Sequence, residues 1–480
     1  MRAAAGTAAP EAGAREINFG FRFLAPLAFG SLLNPINSTM ISTALGPIRS
    51  DFHTSVAQTA WLIAGLYLAS AIAQPTLGRM ADVFGPRRIY LFGLCVVGLA
   101  GLASLWAPTL SMLIWVRVAL GIGTSAAYPS AMHILRTQSA KLGSPPPRKA
   151  LSILSLTALS TLAIGPTLGG VLTGLAGWRS IFVVNLPVAL IGIAMVLAWT
   201  PKDEPRSASS AQLLAGFDFT GILLFGASLL SAMFFLMGLD HPRWFLLPLV
   251  AVAATGLVLH SLRRPQPFID VRMLLRNRPL ATTYARVGAY SVIGYSMLYG
   301  YAQWLESGPG FGSAKAGLVT LPMSLVAGAC SLAGARTKGI RGPLIFGTAA
   351  MLAGCIALLL LHSASGLWLL VAVMMLFGIP QGLCNISNQA AMYVQAPAAE
   401  IGAAAGLLRT AVYIGAIVSS SLLGLVYGGQ PDDHGLHRLA IVMCCLAVPM
   451  LILTIADRTL PRAALKQPTE PAATPSLPRA

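Results

Sequence analysis

Apolar segments of about 20 residues recur along the whole chain, separated by short polar breaks. Each segment is long enough to cross a bilayer as a helix. No segment alternates apolar and polar residues as the strands of a membrane barrel do. The pattern therefore predicts an all-α polytopic membrane protein. Fourteen spans are predicted, at 20–46, 56–77, 89–108, 111–135, 149–174, 181–200, 218–238, 244–262, 281–304, 314–333, 343–362, 366–391, 402–427 and 437–456.

Polar stretches divide the spans into six, a pair and six more. Pro201–Gln212 is rich in proline and serine, and Arg263–Pro279 separates the eighth span from the ninth. A short echo between the loops Gly78–Gly93 and Gly334–Gly347 supports two related halves, and transporters commonly place the substrate site between such repeats. The predicted regions are a disordered cytoplasmic N-terminus at 1–16, a six-helix bundle at 17–200, a linker with two inserted helices at 201–280, a second six-helix bundle at 281–456 and a disordered cytoplasmic tail at 457–480.

Composition agrees with a membrane location. Charged residues make up 10% of the chain, whereas soluble domains hold about 25%. The net charge of +17 reflects topology rather than a nucleic-acid partner, because most loop arginines and lysines fall on one side. The positive-inside rule places that side and both termini in the cytoplasm, with the lipid bilayer as partner. On the other side lie Arg49, Arg179, Arg243, Lys315 and Arg438.

Cysteines and motifs exclude other classes of protein. All six cysteines lie inside apolar spans without metal-ligand spacing, which is typical of small buried hydrophobic residues. Phosphate-loop, zinc-protease and serine-hydrolase signatures are absent, and no polar region is long enough for a nucleotide-binding domain. The sequence therefore predicts no enzyme, no metal and no cofactor. Met1–Glu16 lacks the apolar core of a signal peptide.

The fifth span carries glycines and a proline at its centre. Pro166 removes a backbone donor and clashes with the preceding turn, which predicts a bend. Gly165 and Gly169 leave one helix face smooth, so that a neighbouring helix can approach closely. We expect a seam between moving parts, formed by Gly165, Pro166, Gly169 and Gly170.

A charged segment follows the second span. Asp82 lies among Arg79, Arg87 and Arg88, and a carboxylate beside three cations can clamp helix ends in one state and release them in another. The alternative is an ordinary positive-inside loop in which Asp82 is incidental. The candidate gating loop consists of Gly78, Arg79, Asp82, Gly85, Arg87 and Arg88.

Three arginines lie inside predicted spans. A cation at the centre of a membrane helix costs at least about 2.5–3.5 kcal/mol on insertion scales. Arg117 is therefore expected to face a wet cavity or a partner. The same argument applies to Arg286 and Arg409, although Arg286 is close enough to the start of its span to reach the membrane surface instead.

Carboxylates that could carry protons are scarce in the spans. Glu306 lies near the outer membrane edge, and Asp218 opens the seventh span from the inner side. The first span carries the amides Asn34 and Asn37, and His133 near the end of the fourth is expected to be structural. Other polar residues could line a cavity or form hydrogen bonds between helices. They are Tyr67, Gln74, Gln303, Gln381, Asn385, Asn388 and Gln389.

Several motifs resemble those of the major facilitator superfamily. Gly78–Arg88 matches its loop motif between helices 2 and 3, and Arg117 with Gly121 resembles its helix 4 motif. Gly165–Gly170 resembles the helix 5 motif associated with antiporters, with Thr161 in place of the first glycine of that motif. Similarity to the fourteen-helix drug:proton antiporter family rests on Trp178–Phe182, Asn185–Pro187, Phe217–Gly221, Pro267–Asp270 and Gln303.

The resemblance implies two six-helix bundles around a central cavity, two inserted helices and alternating access of the rocking type. It also implies export of amphipathic or cationic compounds, driven by protons that move inward. One position departs from the family pattern Leu-Asp-x-Thr in helix 1, because this chain reads Ile36-Asn37-Ser38-Thr39. An amide cannot carry a proton, so coupling would fall to Glu306 or Asp82, or the driving ion or the direction differs.

The whole pattern predicts an efflux transporter of the inner (plasma) membrane, of the multidrug resistance kind. It would act as a monomer on a small organic molecule, with the proton as coupling ion. Arg117 would organise the cavity, or pair with a proton-relay acid or an anionic substrate. Two alternatives stay open: an importer or carrier of this fold that is not coupled to protons, and a membrane sensor or assembly factor without transport. Periplasmic or outer-membrane efflux partners are a further interpretation.

Overall fold

A computed structural model describes residues 19–142, 164–203, 217–239, 242–265, 267–337, 339–397 and 401–460. Every regular element in these ranges is a helix. The N-terminal half contains α1 (Phe21–Met40), α2 (Leu45–Asp51), α3 (Val56–Phe84), α4 (Pro86–Ala103), α5 (Leu110–Ser125), α6 (Ala127–Lys141), α7 (Ile164–Ala176), α8 (Ser180–Val183) and α9 (Asn185–Trp199).

The remaining helices form an inserted pair and a second half. The pair is α10 (Phe219–Met237) and α11 (Leu246–Arg263). A π-helical turn, Ser296–Gly300, joins two helices of the second half, α13 and α14. That half contains α12 (Val271–Arg276), α13 (Arg278–Tyr295), α14 (Tyr301–Ser307), α15 (Ser313–Arg336), α16 (Arg341–Leu358), α17 (Leu367–Gln395), α18 (Ile401–Tyr427) and α19 (Asp433–Ala456).

Within the described ranges, 11 helices are long and apolar enough to cross a membrane. The helix α7 is apolar but shorter, and the first fifteen residues of the fifth predicted span, 149–163, lie outside the described residues. Neither α1, which carries several polar residues, nor the interrupted segment α13–α14 is among the 11. The all-helical class is therefore confirmed, whereas the expected count of fourteen is not.

The end of the second span differs from the expectation. The helix α3 continues to Phe84, so Gly78, Arg79 and Asp82 lie on its last turns and not in a loop. Hydropathy placed the end of the span where polar residues begin, but a helix can continue beyond the bilayer. The chain turns at Gly85, whose φ of 99° favours glycine. Pro86 then begins α4, a position that suits proline because its missing N–H is not needed there.

The helices pack as two bundles. In the N-terminal half α3 packs on α5, and α4 on α5 and α9; in the second half α15 and α16 pack on α17, and α13 on α18. The two halves meet along α3 and α18, and α10 of the inserted pair contacts both of these helices. The inserted pair therefore lies beside the interface between the bundles rather than within either one.

The helix ends define two sides of the protein. The side that we call outer holds the connections at 41–55, 104–109, 177–179 and 308–312. The side that we call inner, which the arginine and lysine distribution predicts to be cytoplasmic, holds those at 85, 200–203 and 337. Several close contacts between the halves lie toward the outer side. One example is Gly424 of α18, where an added Cβ would come within 3.0 Å of Ala57 near the outer end of α3.

Candidate functional site

A central cavity of about 170 Å³ lies between the two halves. The helices α1, α3 and α6 line it from one half, and α13 with α15 to α18 lines it from the other. Three of its residues, Tyr128, Gln389 and Arg409, lie in the inner parts of their spans. The cavity therefore extends from the middle of the protein toward the inner side.

Tyrosines form much of the cavity wall. The rings of Tyr67 and Tyr295 are 5.2 Å apart. The Tyr67 hydroxyl lies 3.0 Å from the hydroxyl of Tyr299, which donates to the Ser38 carbonyl at 2.6 Å. Phenol rings offer an apolar face and a polar end, so this wall suits an aromatic compound with a polar group. The lining tyrosines are Tyr67, Tyr128, Tyr290, Tyr295 and Tyr413.

Arg409 is the one charged residue that lines the cavity in the described part of the chain. Its guanidinium carbon lies 5.4 Å from the centre of the Tyr128 ring, which is a cation–π geometry. Across the described ranges, no Asp or Glu forms an ion pair with Arg409. The expectation that this arginine faces a cavity agrees with its position.

Four amides of α17 face the cavity at helical spacing. Asn388 is buried, and its Oδ1 accepts a hydrogen bond from Arg286 Nε at 2.8 Å. The Asn388 Nδ2 atom has no hydrogen-bond partner, so a free donor stands at the wall. The four amides are Gln381, Asn385, Asn388 and Gln389.

Arg117 has partners and does not line the cavity. It is buried on α5, where Nε donates to the Leu62 carbonyl at 2.9 Å and Nη1 donates to the Asn37 carbonyl at 2.8 Å. Its Nη2 atom has no hydrogen-bond partner. The guanidinium therefore joins α5 to α3 and α1 through backbone carbonyls, and no carboxylate of the described residues pairs with it.

Arg286, near the middle of α13, forms a buried ion pair. Its Nη1 lies 3.2 Å from the carboxylate of Asp457, and the two side chains are 0% and 6% exposed. Its Nη2 donates to Thr283 Oγ1 at 2.9 Å. Arg286 is therefore buried together with its counter-ion. Asp457 belongs to the segment expected to be a disordered tail, of which residues 461–480 lie outside the described ones.

The amides of α1 have different roles. Asn34 lines the cavity, and its Nδ2 donates to Ser70 Oγ at 3.2 Å and to Thr124 Oγ1 at 3.1 Å. Asn37 is buried away from the cavity, and its Nδ2 donates to Asn185 Oδ1 at 2.7 Å. Asn37 therefore joins α1 to α9 at the position where the family pattern has an acid.

Glu306 lies at the outer end of α14, where the halves meet. A Cβ added to Gly46 of α2 would stand 2.0 Å from its Oε2. Both carboxylate oxygens are buried. Arg49 of α2 donates to the neighbouring Ser307 hydroxyl at 3.0 Å. Glu306 and Arg49 therefore lie close together across the outer interface. Gln303, one turn earlier on α14, is buried and does not line the cavity.

Two of the seam glycines pack against α1. A Cβ at Gly165 would stand 1.7 Å from Thr39 Oγ1, and one at Gly169 would stand 2.2 Å from the Met40 carbonyl oxygen. The Pro166 carbonyl accepts a hydrogen bond from Thr43 Oγ1 at 3.3 Å. This face of α7 holds a contact within the N-terminal half.

Gly170 faces the opposite half. A Cβ there would stand 2.4 Å from the Ser313 carbonyl oxygen and 3.1 Å from Gly317 Cα of α15. Thr167 Oγ1 donates to the Gly317 carbonyl at 3.1 Å. The backbones of α7 and α15 therefore touch at the outer side, which only small residues allow.

Comparison with known proteins decides the family. The sequence model of the Major Facilitator Superfamily matches residues 27–420. The chain belongs to this superfamily. It is a multi-pass membrane transporter, and its relatives include resistance and export proteins.

Individual relatives of this major facilitator protein cover most of its length. It is 32% identical to the uncharacterized MFS-type transporter YwoD of Bacillus subtilis, over 92% of this chain and 98% of that one. It is 26% identical to the tetracenomycin C resistance and export protein of Streptomyces glaucescens, over 85% of this chain and 76% of that one. The crystal structure of the nucleoside transporter NupG shares the fold, with a TM-score of 0.62, 13% identity and coverage of 90% of this chain and 98% of that one.

In this superfamily member the motif between helices 2 and 3 has partners that the sequence did not predict. Asp82 Oδ1 lies 3.1 Å from His133 Nε2 of α6. Arg79 donates to the Pro267 carbonyl, in the segment that follows the inserted pair, at 2.9 Å. The charged residues of the motif lie on two helices, with Arg79 and Asp82 on α3 and Arg87 and Arg88 on α4.

Asp203 caps the motif from a distant part of the major facilitator chain. Its carboxylate accepts the backbone N–H groups of Arg87 and Arg88 at 3.0 and 3.1 Å. Gly85 leaves room for it, because a Cβ there would stand 2.3 Å from Asp203 Oδ2. Sequence reasoning missed Asp203, since nothing in the polar linker distinguishes it from its neighbours.

Asp218 holds the inserted pair together. Its buried carboxylate accepts the N–H groups of Gly221 at 2.9 Å and Phe268 at 2.7 Å, and lies 2.6 Å from His260 Nε2. Burial acts to raise the pKa of the Asp218 carboxyl, but the hydrogen bonds outweigh it and hold that pKa below its ordinary value. The motifs Phe217–Gly221 and Pro267–Asp270 therefore meet at one acid.

Proposed function

We propose that this chain exports small organic compounds of drug-like, amphipathic character by alternating access, in exchange for protons. The central cavity carries the proposal, because it lies between two halves that touch at the outer side and extends toward the inner side. A compound would enter from the inner side and leave when the contact between α7 and α15 opens. Relatives named for resistance and export support the outward direction.

We assign proton coupling to Glu306. Its carboxylate oxygens are buried between the halves, at the interface that must open and close. Burial favours the neutral form of a carboxyl group. A proton taken up from the outer side would therefore neutralise Glu306 as the halves close over it, so that the motion depends on that proton. Release of the same proton toward the inner side would complete the exchange and restore the carboxylate.

The test begins with a deletion strain screened against a broad compound panel, because increased sensitivity identifies a substrate. Addition of that substrate to everted vesicles should then dissipate their pH gradient. Glu306→Gln should abolish this response, since an amide cannot bind the proton. Asp51→Asn is the matched control, because Asp51 is an outer acid whose partners, Trp178 and Arg179, belong to its own half. An intact response in Glu306→Gln would remove Glu306 from coupling.

A carrier of this fold without proton coupling is the second candidate. Asn37 replaces the family acid, and no Asp or Glu lines the cavity among the described residues. Export by wild-type vesicles without any change in their pH gradient would favour this candidate. Failure of every compound to accumulate in the deletion strain would favour a protein that senses or assembles without transport.

We further propose that the protein acts as a monomer in the plasma (inner) membrane. Both termini would lie in the cytoplasm, as the arginine and lysine distribution favours. The proton would be the only small ion that the cycle needs, with no cofactor.

A further inference from the structure

We propose that the central cavity binds an aromatic carboxylate, with Arg409 as the counter-ion of its carboxylate group. The proposal rests on the export function above and names the substrate class of the same site. Three properties of the cavity support it: its positive charge, a hydrogen-bond donor without a partner, and its aromatic wall.

The cavity carries a single positive charge, on Arg409, among the residues that the structure describes. The Tyr128 ring contacts this guanidinium, but no carboxylate of the described residues pairs with it. The other two arginines of the spans have partners elsewhere, because Arg286 pairs with Asp457 and Arg117 donates to carbonyls. An uncompensated cation in low-dielectric surroundings attracts an anion and repels a second cation. The cavity therefore favours a negatively charged compound.

Asn388 adds a neutral donor to the same wall. Arg286 Nε can only donate, so it fixes the Oδ1 end of the Asn388 amide toward itself. The Nδ2 end is buried and has no hydrogen-bond partner. A carboxylate oxygen accepts such donors, whereas an ammonium group would bring only more donors. Buried donors without partners are unfavourable, so the bound anion would stabilise this site.

The rest of the wall suits an aromatic ring. Tyr67 and Tyr295 present ring faces, and Phe377 with the methionines Met323 and Met351 adds apolar and polarizable surface. The volume of about 170 Å³ is close to that of an apolar cavity that holds one benzene ring. Single-ring acids therefore fit this conformation. A membrane potential that is negative inside also favours outward movement of an anion.

Binding to the purified full-length protein tests the charge preference. The probes are benzoate and salicylate, each compared with its methyl ester and with the benzylamine of the same ring, which is a cation at neutral pH. We expect the acids to bind more tightly than the esters, and the amines to bind least. Arg409→Gln should weaken acid binding by about ten- to hundred-fold, and Arg409→Lys by less. Arg438→Gln, at an exposed outer arginine, is the control and should leave binding unchanged.

The comparison within the wild-type protein needs no variant and stays decisive if Arg409→Gln fails to fold. Amines that bind as tightly as acids, no binding of any acid, or equal acid binding by Arg409→Gln would each overturn the proposal. Transport into everted vesicles separates it from the export function. Acids that bind but do not accumulate would overturn export and leave the anion site, whereas accumulation of amines alone would overturn the anion site and leave export.

Discussion

At Arg117, two backbone carbonyls stand where a carboxylate would usually balance a buried charge. Removing a cation from water costs several kcal/mol even after the protein relaxes. Each hydrogen bond from a charged donor contributes about 1.5–3 kcal/mol. These opposing effects are similar in size, so Arg117 adds little net stability. Its position between three helices, near Tyr67 and Tyr299, instead points to a role in the transport cycle.

Arg117→Met should therefore separate stability from transport. We expect the free energy of unfolding to change by less than about 2 kcal/mol, because lost hydrogen bonds and relieved desolvation offset each other. Transport in vesicles should fall at least ten-fold. The thermal midpoint in detergent and the initial export rate are the two measurements. Arg117→Lys keeps the charge but lacks the planar guanidinium that donates to two carbonyls, and it should retain part of the export rate. Wild-type transport in Arg117→Met would contradict a role in the cycle.

The element that most directly holds the conformation is α7, which uses two faces for two purposes. Gly165 and Gly169 pack against α1 of the same half, and Gly170 packs against α15 of the other half. The glycine and proline pattern predicted one seam, and the structure divides it into a contact within the N-terminal half and a contact between the halves. The second contact must separate if the outer side opens, so substitutions there should shift the conformational equilibrium.

Gly170→Ala should favour the state that is open to the outer side. The added methyl group would stand 2.4 Å from the Ser313 carbonyl oxygen, which forces α7 and α15 apart. Overpacking of about 1–3 kcal/mol changes a two-state equilibrium by about 5- to 150-fold. A cysteine at Gln381, in a chain without its native cysteines, should then react faster with a membrane-impermeant maleimide from outside.

Gly328→Ala is the matched control for this change. Gly328 is also a helical glycine, but no atom lies within 4 Å of an added Cβ, so the alanine meets open space. Its maleimide reaction rate should equal that of the parent chain. Equal maleimide reaction rates in Gly170→Ala and Gly328→Ala would show that the contact between α7 and α15 does not control opening to the outer side.

For the whole molecule, the charged loops predict the orientation, and the contacts between the halves describe the conformation. Arginines and lysines gather on the side predicted to be inner, whereas the backbone contacts of α7 with α15 and of α18 with α3 lie on the other side. The cavity extends toward the side that carries the positive charge. If that side is cytoplasmic, the described conformation accepts compounds from the cell interior.

Cysteine labelling in whole cells tests this orientation. Ala364, between α16 and α17, is exposed on the outer side, and Thr337, between α15 and α16, is exposed on the inner side. In a chain without native cysteines, Ala364→Cys should react with an impermeant maleimide in intact cells. Thr337→Cys should react only after permeabilisation, because the impermeant maleimide does not reach the cytoplasmic side of intact cells. The reverse pattern would contradict the positive-inside assignment.

The sequence by itself determined the helical membrane class, the approximate positions of most spans and the family. These features are local, because hydropathy over about 20 residues and the need to satisfy backbone groups in lipid leave few alternatives. The glycines of α7 also predicted a close approach of a neighbouring helix, since only small residues permit one. The resemblance placed the motifs in order along the chain.

Only the tertiary structure decided which of these residues meet. Arg117 and Arg409 look alike in sequence, yet one donates to carbonyls and the other lines the cavity. Asp203 caps α4 from far along the chain, and Asp218 accepts the distant Phe268 N–H in addition to the Gly221 N–H of its own helix. Helix rotation, tilt and the crossing of distant segments set these contacts, and hydropathy carries no information about any of the three.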